Sequence, residues 1–204
     1  DRERLHQFCI FMVGTGLRVD EALQLEWEDI RCIDREKVVN RQATETIVSA
    51  YGKDFLSQLE RYYLQINVGV SKSRPHTAYG TGSAYFAYQN LIKLYTSNPQ
   101  FNCKVGEGTI FKLHSFREGL NSLLDEADLK FEKLGDSRVK RDSKSFRHTF
   151  IQFMLNKGMS STAIAKMCGT STEMIDKYYT SNMALDTMMD TFNKVKGGHL
   201  KIVS

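Results

Sequence analysis

Two short stretches, "HSFREGL" at residues 114–120 and "KSFRHTF" at residues 144–150, each place a basic residue three positions before an arginine. A guanidinium is a planar fork of donors that grips a carboxylate or phosphate bidentately, so Arg117 and Arg147 are both candidates for binding an anion. Upstream, "GTGLRVDEAL" puts Arg18 three residues before Glu21. On a helix that spacing shares one face, and the carboxylate can hold the guanidinium in place. "SKSRPHT" places Lys72 in a turn, where an ammonium on a flexible stem can deliver a proton. "GTSTEMIDKYY" ends on the adjacent Tyr178 and Tyr179, and successive helical side chains diverge by about 100°, so only one of them can face a given ligand. A phenol with a pKa near about 10 needs electrostatic help to act as a nucleophile at neutral pH. No HExxH spacing occurs, and Cys9, Cys32, Cys103 and Cys168 form no CxxC pair. No metal, cofactor or disulfide framework is therefore expected.

These residues are carried by a chain that reads as mainly α with a small antiparallel β-sheet, an α+β fold. Proline is scarce and helical periodicity prevails. One helix is expected over residues 4–13, and a second after the "GTG" turn at 14–16, with Val19, Ala22, Leu23 and Trp27 on one face. Residues 43–63 carry Ile47, Tyr51, Phe55, Leu59 and Tyr62 at helical spacing, weakened by Gly52. "LQINVGV", residues 64–70, alternates with period two, and "KSRP" turns it into "HTAYG", a hairpin with Lys72 at its tip. Helices are expected at 83–95, 115–127 and 146–156, the last closed by Gly158. Two short helices follow, capped by Ser160 or Ser161 and by Thr172, with Gly169 between them. An amphipathic stretch at 183–195 carries Met183, Leu185, Met188, Met189 and Phe192.

The 204 residues are 41% hydrophobic and 25% charged, enough for one soluble domain with a real core. Lys and Arg number 28 against 24 Asp and Glu, a net charge of +4 that permits an anionic partner without requiring one. No run of about 18 apolar residues is present, and no signal peptide is visible. With unpaired cysteines, a reducing cytosol is the simplest compartment. The sequence opens at Asp1 already in an amphipathic pattern, "RLHQFCIFMV", which predicts a fragment lacking its natural N-terminal part.

In order, "GTGLRVDEAL", "SKSRPHT", "KSFRHTF" and "GTSTEMIDKYY" resemble the tyrosine recombinase (phage integrase) family, and the resemblance covers almost the whole chain as that family's catalytic domain. In that family the second arginine opens a helix that leads to a glycine, a further site residue, and the nucleophilic tyrosine nine positions beyond it. From Arg147 this pattern closes through Gly169, Thr170 and Tyr179; from Arg117 it does not. "FREGLNSLLDEADLK" also carries Phe116, Leu120, Leu123, Leu124 and Ala127 as an ordinary packing face. The resemblance thus implies Arg18, Lys72, Arg147 and Tyr179 as catalytic, with Glu21, Lys144, His148 and Thr170 supporting the site or contacting phosphate. Lys53 in "YGKD" is the alternative to Lys72, and Tyr178 is expected to contact DNA or pack.

The chemistry implied is DNA strand cleavage and rejoining through a 3′-phosphotyrosine, independent of metal and ATP, as in integration of phage and other mobile elements. Charge gathering on a phosphodiester under in-line attack is offset by guanidinium forks. The poorly leaving DNA hydroxyl needs a general acid. Position 144 is lysine where the family has histidine or tyrosine, which leaves the general base open. Thr170 stands where many members carry histidine or tryptophan; a hydroxyl can hydrogen-bond a phosphate oxygen but brings no charge. Double-stranded DNA and further copies of the chain are the implied partners, in a bacterial or phage-host cytosol. Residues 1–182 are expected to form the catalytic domain, and 183–204 a tail helix docking on a neighbouring protomer. The rival reading is a non-enzymatic helix-turn-helix module, since "IAKMCGTSTEMIDKYY" also reads as helix, turn and recognition helix. It leaves Arg18, Lys72 and Arg147 unexplained as a set.

Overall fold

The computed structural model describes residues 2–34, 61–69, 75–113, 115–134 and 137–179. Lys53, Lys72, the stretch expected to be helical up to residue 60, and the stretch from 180 onward, including the expected tail helix, lie outside the described residues. The helices are α1 (Arg2–Thr15), α2 (Val19–Gln24), α3 (Gly82–Ser97), α4 (Phe116–Glu126), α5 (Lys144–Asn156), α6 (Ser161–Cys168) and α7 (Thr172–Tyr179). The strands are β1 (Ile30–Asp34), β2 (Tyr62–Val68), β3 (His76–Gly80), β4 (Phe131–Leu134) and β5 (Ser137–Lys140). Mainly helical with a small antiparallel sheet, this is the expected fold class.

Strands β1, β2 and β3 form one antiparallel sheet in that order, with Cys32 opposite Leu64, and Leu64 opposite Gly80. Alternation along the strands divides the interior in two. Leu64, Ile66, Val68 and Ala78 join a core with Phe8, Phe11, Met12 and Leu17 from the first helix and its end, and Ala84, Tyr88 and Leu91 from α3. Tyr63 and Tyr79 instead join a second core with Phe150, Ile151 and Met154 of α5, Ile164 and Met167 of α6, and Ile175 of α7. Each fully buried large apolar side chain contributes about 1.5–3 kcal/mol. The sheet therefore fixes the first helix pair against the last three helices, across which the site is assembled.

Several expectations are corrected. The second helix stops at Gln24, and Trp27 begins a separate 3-10 turn, Trp27–Asp29. Tyr62 and Tyr63 belong to β2 rather than to a helix. Ser160 caps α6, its hydroxyl accepting from the Ala163 N–H at 3.2 Å. The cap of α7 is Ser171 rather than Thr172: its hydroxyl accepts from the Met174 N–H at 3.3 Å. Strand β1 and the β4–β5 hairpin had no counterpart in the sequence reading. The packing face of α4 holds for Phe116, whose ring meets Phe8 edge-on at 4.8 Å, and for buried Leu120, but Ala127 is exposed. Arg117 is exposed too.

Candidate active site

The site begins where α1 ends. Gly16 has φ +66, a left-handed turn that a Cβ would strain, and a side chain there would overlap the ring of Phe150. This tight turn drops Leu17 into the core and leaves Arg18 extended (φ −73, ψ 152) at the N-cap of α2. Glu21 reaches back with both oxygens, accepting from the Arg18 backbone N–H at 2.8 Å and from Arg18 Nη1 at 2.7 Å. Its side chain is fully buried while that of Arg18 is one-third exposed. The carboxylate thus caps the helix and aims the arginine at once.

Arg147 comes from the first turns of α5. Its Nη1 donates to the Gly16 carbonyl at 3.0 Å and its Nη2 to the Cys168 carbonyl at 2.5 Å. Arg18 Nη2 donates to the next carbonyl, that of Gly169, at 3.5 Å. Gly169 makes this shared perch possible. It ends α6 at φ +58, and the Thr170 N–H closes the turn on the Ala165 carbonyl at 2.9 Å. The carbonyls at a helix C-terminus carry partial negative charge, which lets two guanidiniums approach one turn. Among the described residues, Arg147 pairs with no carboxylate. A guanidinium held, among those residues, by carbonyl oxygens rather than by a carboxylate suits an anionic ligand.

Tyr179, half-buried at the end of α7, bonds through its hydroxyl to Nδ1 of His148 at 2.5 Å, with ring centroids 5.3 Å apart and planes tilted by 37°. Burial pushes the phenol above its usual pKa, Arg147 pulls it down and Cys168 adds to the rise. Burial pushes His148 below its ordinary value; Arg147 and Lys144 act in the same sense and Asp142 against them. The buried Cys168 thiol is pushed up to about 11 by desolvation, so it remains protonated at neutral pH.

Arg18, Glu21, Arg147, His148, Thr170 and Tyr179 are thus brought into one neighbourhood. Lys144 lies at the start of α5 with an exposed side chain, its backbone N–H donating to Asp142 Oδ1 at 2.8 Å. The sequence reading missed His76, the first residue of β3, whose ring packs on Gly169 so closely that a Cβ there would lie 2.6 Å from Cε1. Only its place just beyond the expected hairpin turn could have marked it. Among the described residues, no group of three His, Cys, Asp or Glu side chains could hold a metal, and no helix is long and apolar enough to cross a membrane. Two guanidiniums, a phenol and an imidazole can bind an oxyanion and present a nucleophile to it.

No curated protein sequence matches the chain. Among solved structures, it is similar to the XerA recombinase at 14% identity, covering 97% of this chain and 58% of that one, with a TM-score of 0.58. It also resembles the XerH site-specific recombinase bound to palindromic difH substrate in a post-cleavage complex (15% identity, 94% and 46% covered, TM-score 0.55). The Tn1549 transposon integrase in complex with transposon right end DNA is a third (16%, 95% and 59%, TM-score 0.55). The chain spans between 46% and 59% of the length of these three proteins. At such identities the likeness is one of fold. The family model described as "Phage integrase family" matches residues 1–184, and the chain belongs to that family.

Proposed function

We propose that the chain is the catalytic domain of a site-specific DNA recombinase, with residues 1–182 as the domain and Tyr179 as the nucleophile that forms a 3′-phosphotyrosine. The observation that carries this reading is the meeting of Arg18 and Arg147, from opposite ends of the chain, on the consecutive carbonyls of Cys168 and Gly169 beside the helix that bears Tyr179. Arg18 and Arg147 neutralise the phosphate, Glu21 positions Arg18, and Thr170 offers a hydroxyl to a phosphate oxygen. Lys72 is the general acid for the leaving 5′ oxygen, with Lys53 as the alternative. Lys144 borders the site and contacts the DNA backbone.

Double-stranded DNA is the partner, and two of the three solved structures support this: one is bound to palindromic difH substrate and one is in complex with transposon right end DNA. Copies of the chain associate on DNA through residues 183–204, in the cytosol of a bacterial or phage host. The test is covalent trapping on a pool of nicked duplexes with randomised sequence, resolved on a denaturing gel. A labelled protein–DNA band that disappears in Tyr179→Phe and persists in Arg117→Ala supports the reading. Binding without any covalent band would favour a non-enzymatic DNA-binding module, and a band persisting in Tyr179→Phe would reject the nucleophile.

A further inference from the structure

A tyrosine that attacks phosphorus must lose its proton, and position 144, three before Arg147, is occupied by a lysine. An ammonium is a donor with no lone pair to offer, and Lys144 is exposed at the head of α5. One helical turn further along the same face stands His148, and its Nδ1 is 2.5 Å from Tyr179 Oη. With the imidazole as its Nε2–H tautomer, Nδ1 carries the lone pair and the phenol is the donor of this bond; that tautomer is the one the inference requires.

We propose that His148 is the proton acceptor that activates Tyr179 for strand cleavage and returns the proton when the phosphotyrosyl bond is reversed. This rests on the recombinase reading above. In the forward step the Oη–H bond breaks and its proton passes to Nδ1 as the Oη–P bond forms; the P–O5′ bond breaks and the 5′ oxygen takes a proton from the separate lysine acid. On rejoining, the 5′ hydroxyl gives its proton back to the now neutral lysine as its oxygen bonds phosphorus, and the imidazolium gives its proton back to Oη as the Oη–P bond breaks. The groups acting on the ring are Arg147 and Lys144 on its own helix, Asp142 on the preceding segment and the Tyr179 hydroxyl on α7. The two cations and burial outweigh Asp142 and keep the imidazole neutral at neutral pH, ready to accept. A phenol whose pKa burial has raised gains most from such a base as its bond to phosphorus develops.

Two measurements test this. In the free chain, nitrogen-15 spectra of the histidines at pH 7.5 should show neutral His148 chiefly as the Nε2–H tautomer, with its titration moving upward in Tyr179→Phe. The Nδ1–H tautomer as the main neutral species overturns the proposal. On the nicked duplex recovered by covalent trapping, synthesised with a bridging 5′-phosphorothiolate whose thiolate leaves without an acid, His148→Ala and His148→Asn should both cleave about 10²-fold more slowly than the parent chain. Asn places an oxygen near Nδ1 and keeps a hydrogen bond without basicity, so an Asn variant within a few-fold of the parent would show that His148 only positions the ring. Lys72→Ala should be rescued on this substrate while the His148 variants are not. Covalent trapping that survives Tyr179→Phe would instead count against the recombinase reading, whatever the tautomer.

Discussion

Replacing Glu21 by alanine removes one buried carboxylate that serves two partners. It caps α2 through the Arg18 backbone N–H and pairs with Arg18 Nη1. Loss of a helix cap costs about 1 kcal/mol, and a hydrogen bond to a charged group contributes about 1.5–3 kcal/mol. Stripping one partner from a fully buried pair costs about 3–5 kcal/mol, but Arg18 is one-third exposed and can turn partly to water, which lowers that figure. We expect about 3 kcal/mol in all. For a chain of this size each kcal/mol shifts the melting temperature by about 2–4 °C, so Glu21→Ala should melt about 6–12 °C lower. Glu21→Gln keeps an oxygen for the cap and should lose about half as much. Urea unfolding of the two variants with matched m-values reads the difference. A loss below about 1 kcal/mol for Glu21→Ala, or equal losses in both variants, would refute the view that this carboxylate positions Arg18.

The glycine turns should resist substitution. Gly16→Ala adds a left-handed Cβ, costing about 1–2 kcal/mol, and overpacks buried Phe150, costing about 1–3 kcal/mol more; Gly169→Ala should behave alike through His76, and unchanged unfolding midpoints would contradict both. Arg147→Ala should slow cleavage by about 10²–10³-fold, as loss of a preorganised charge donor does, while Arg117→Ala should not; comparable losses in folded proteins would mean that the other copy is catalytic. Acid stability follows from His148. With its folded pKa held below the ordinary value, chiefly by burial, the unfolded chain takes up a proton near about pH 6.5 that the folded chain takes up only at lower pH. Stability should therefore fall as the pH is lowered through that region, and a His148→Gln variant should show a shallower decline; identical pH profiles would contradict this.

What the sequence disclosed, and what it concealed, follows from the range of the interactions involved. Arg18 and Glu21 lie three apart, so their pairing is local and legible, as are the β2–β3 hairpin and the glycine that ends α6. The decoy arginine could be set aside for the same reason, since Phe116 and Leu120 mark an amphipathic helix whose outer face carries Arg117. Strand β1 was not legible: its five residues have no strong alternation, and its order comes from pairing with Tyr62 to Ile66, some thirty residues away. The β4–β5 pair is short and largely polar. Within the site, the bonds of Arg147 to Gly16 and Cys168, and that of Tyr179 to His148, span separations of 131, 21 and 31 residues. Motif order placed these residues in one site, but only the tertiary approach of the turn at Gly169 and of α7 decides which nitrogen meets which oxygen. Packing of His76 on Gly169 depends on the same tertiary approach.

The most direct test of the central claim is identification of the residue bonded to DNA. The full chain would be incubated with the nicked duplex pool, denatured, digested with protease and nuclease, and its peptides sequenced by mass spectrometry. A phosphodiester-linked nucleotide on Tyr179, joined through the 3′ end of the cleaved strand, is the result predicted. A nucleotide on Tyr178 or any other side chain, or one joined through a 5′ phosphate, would contradict the account.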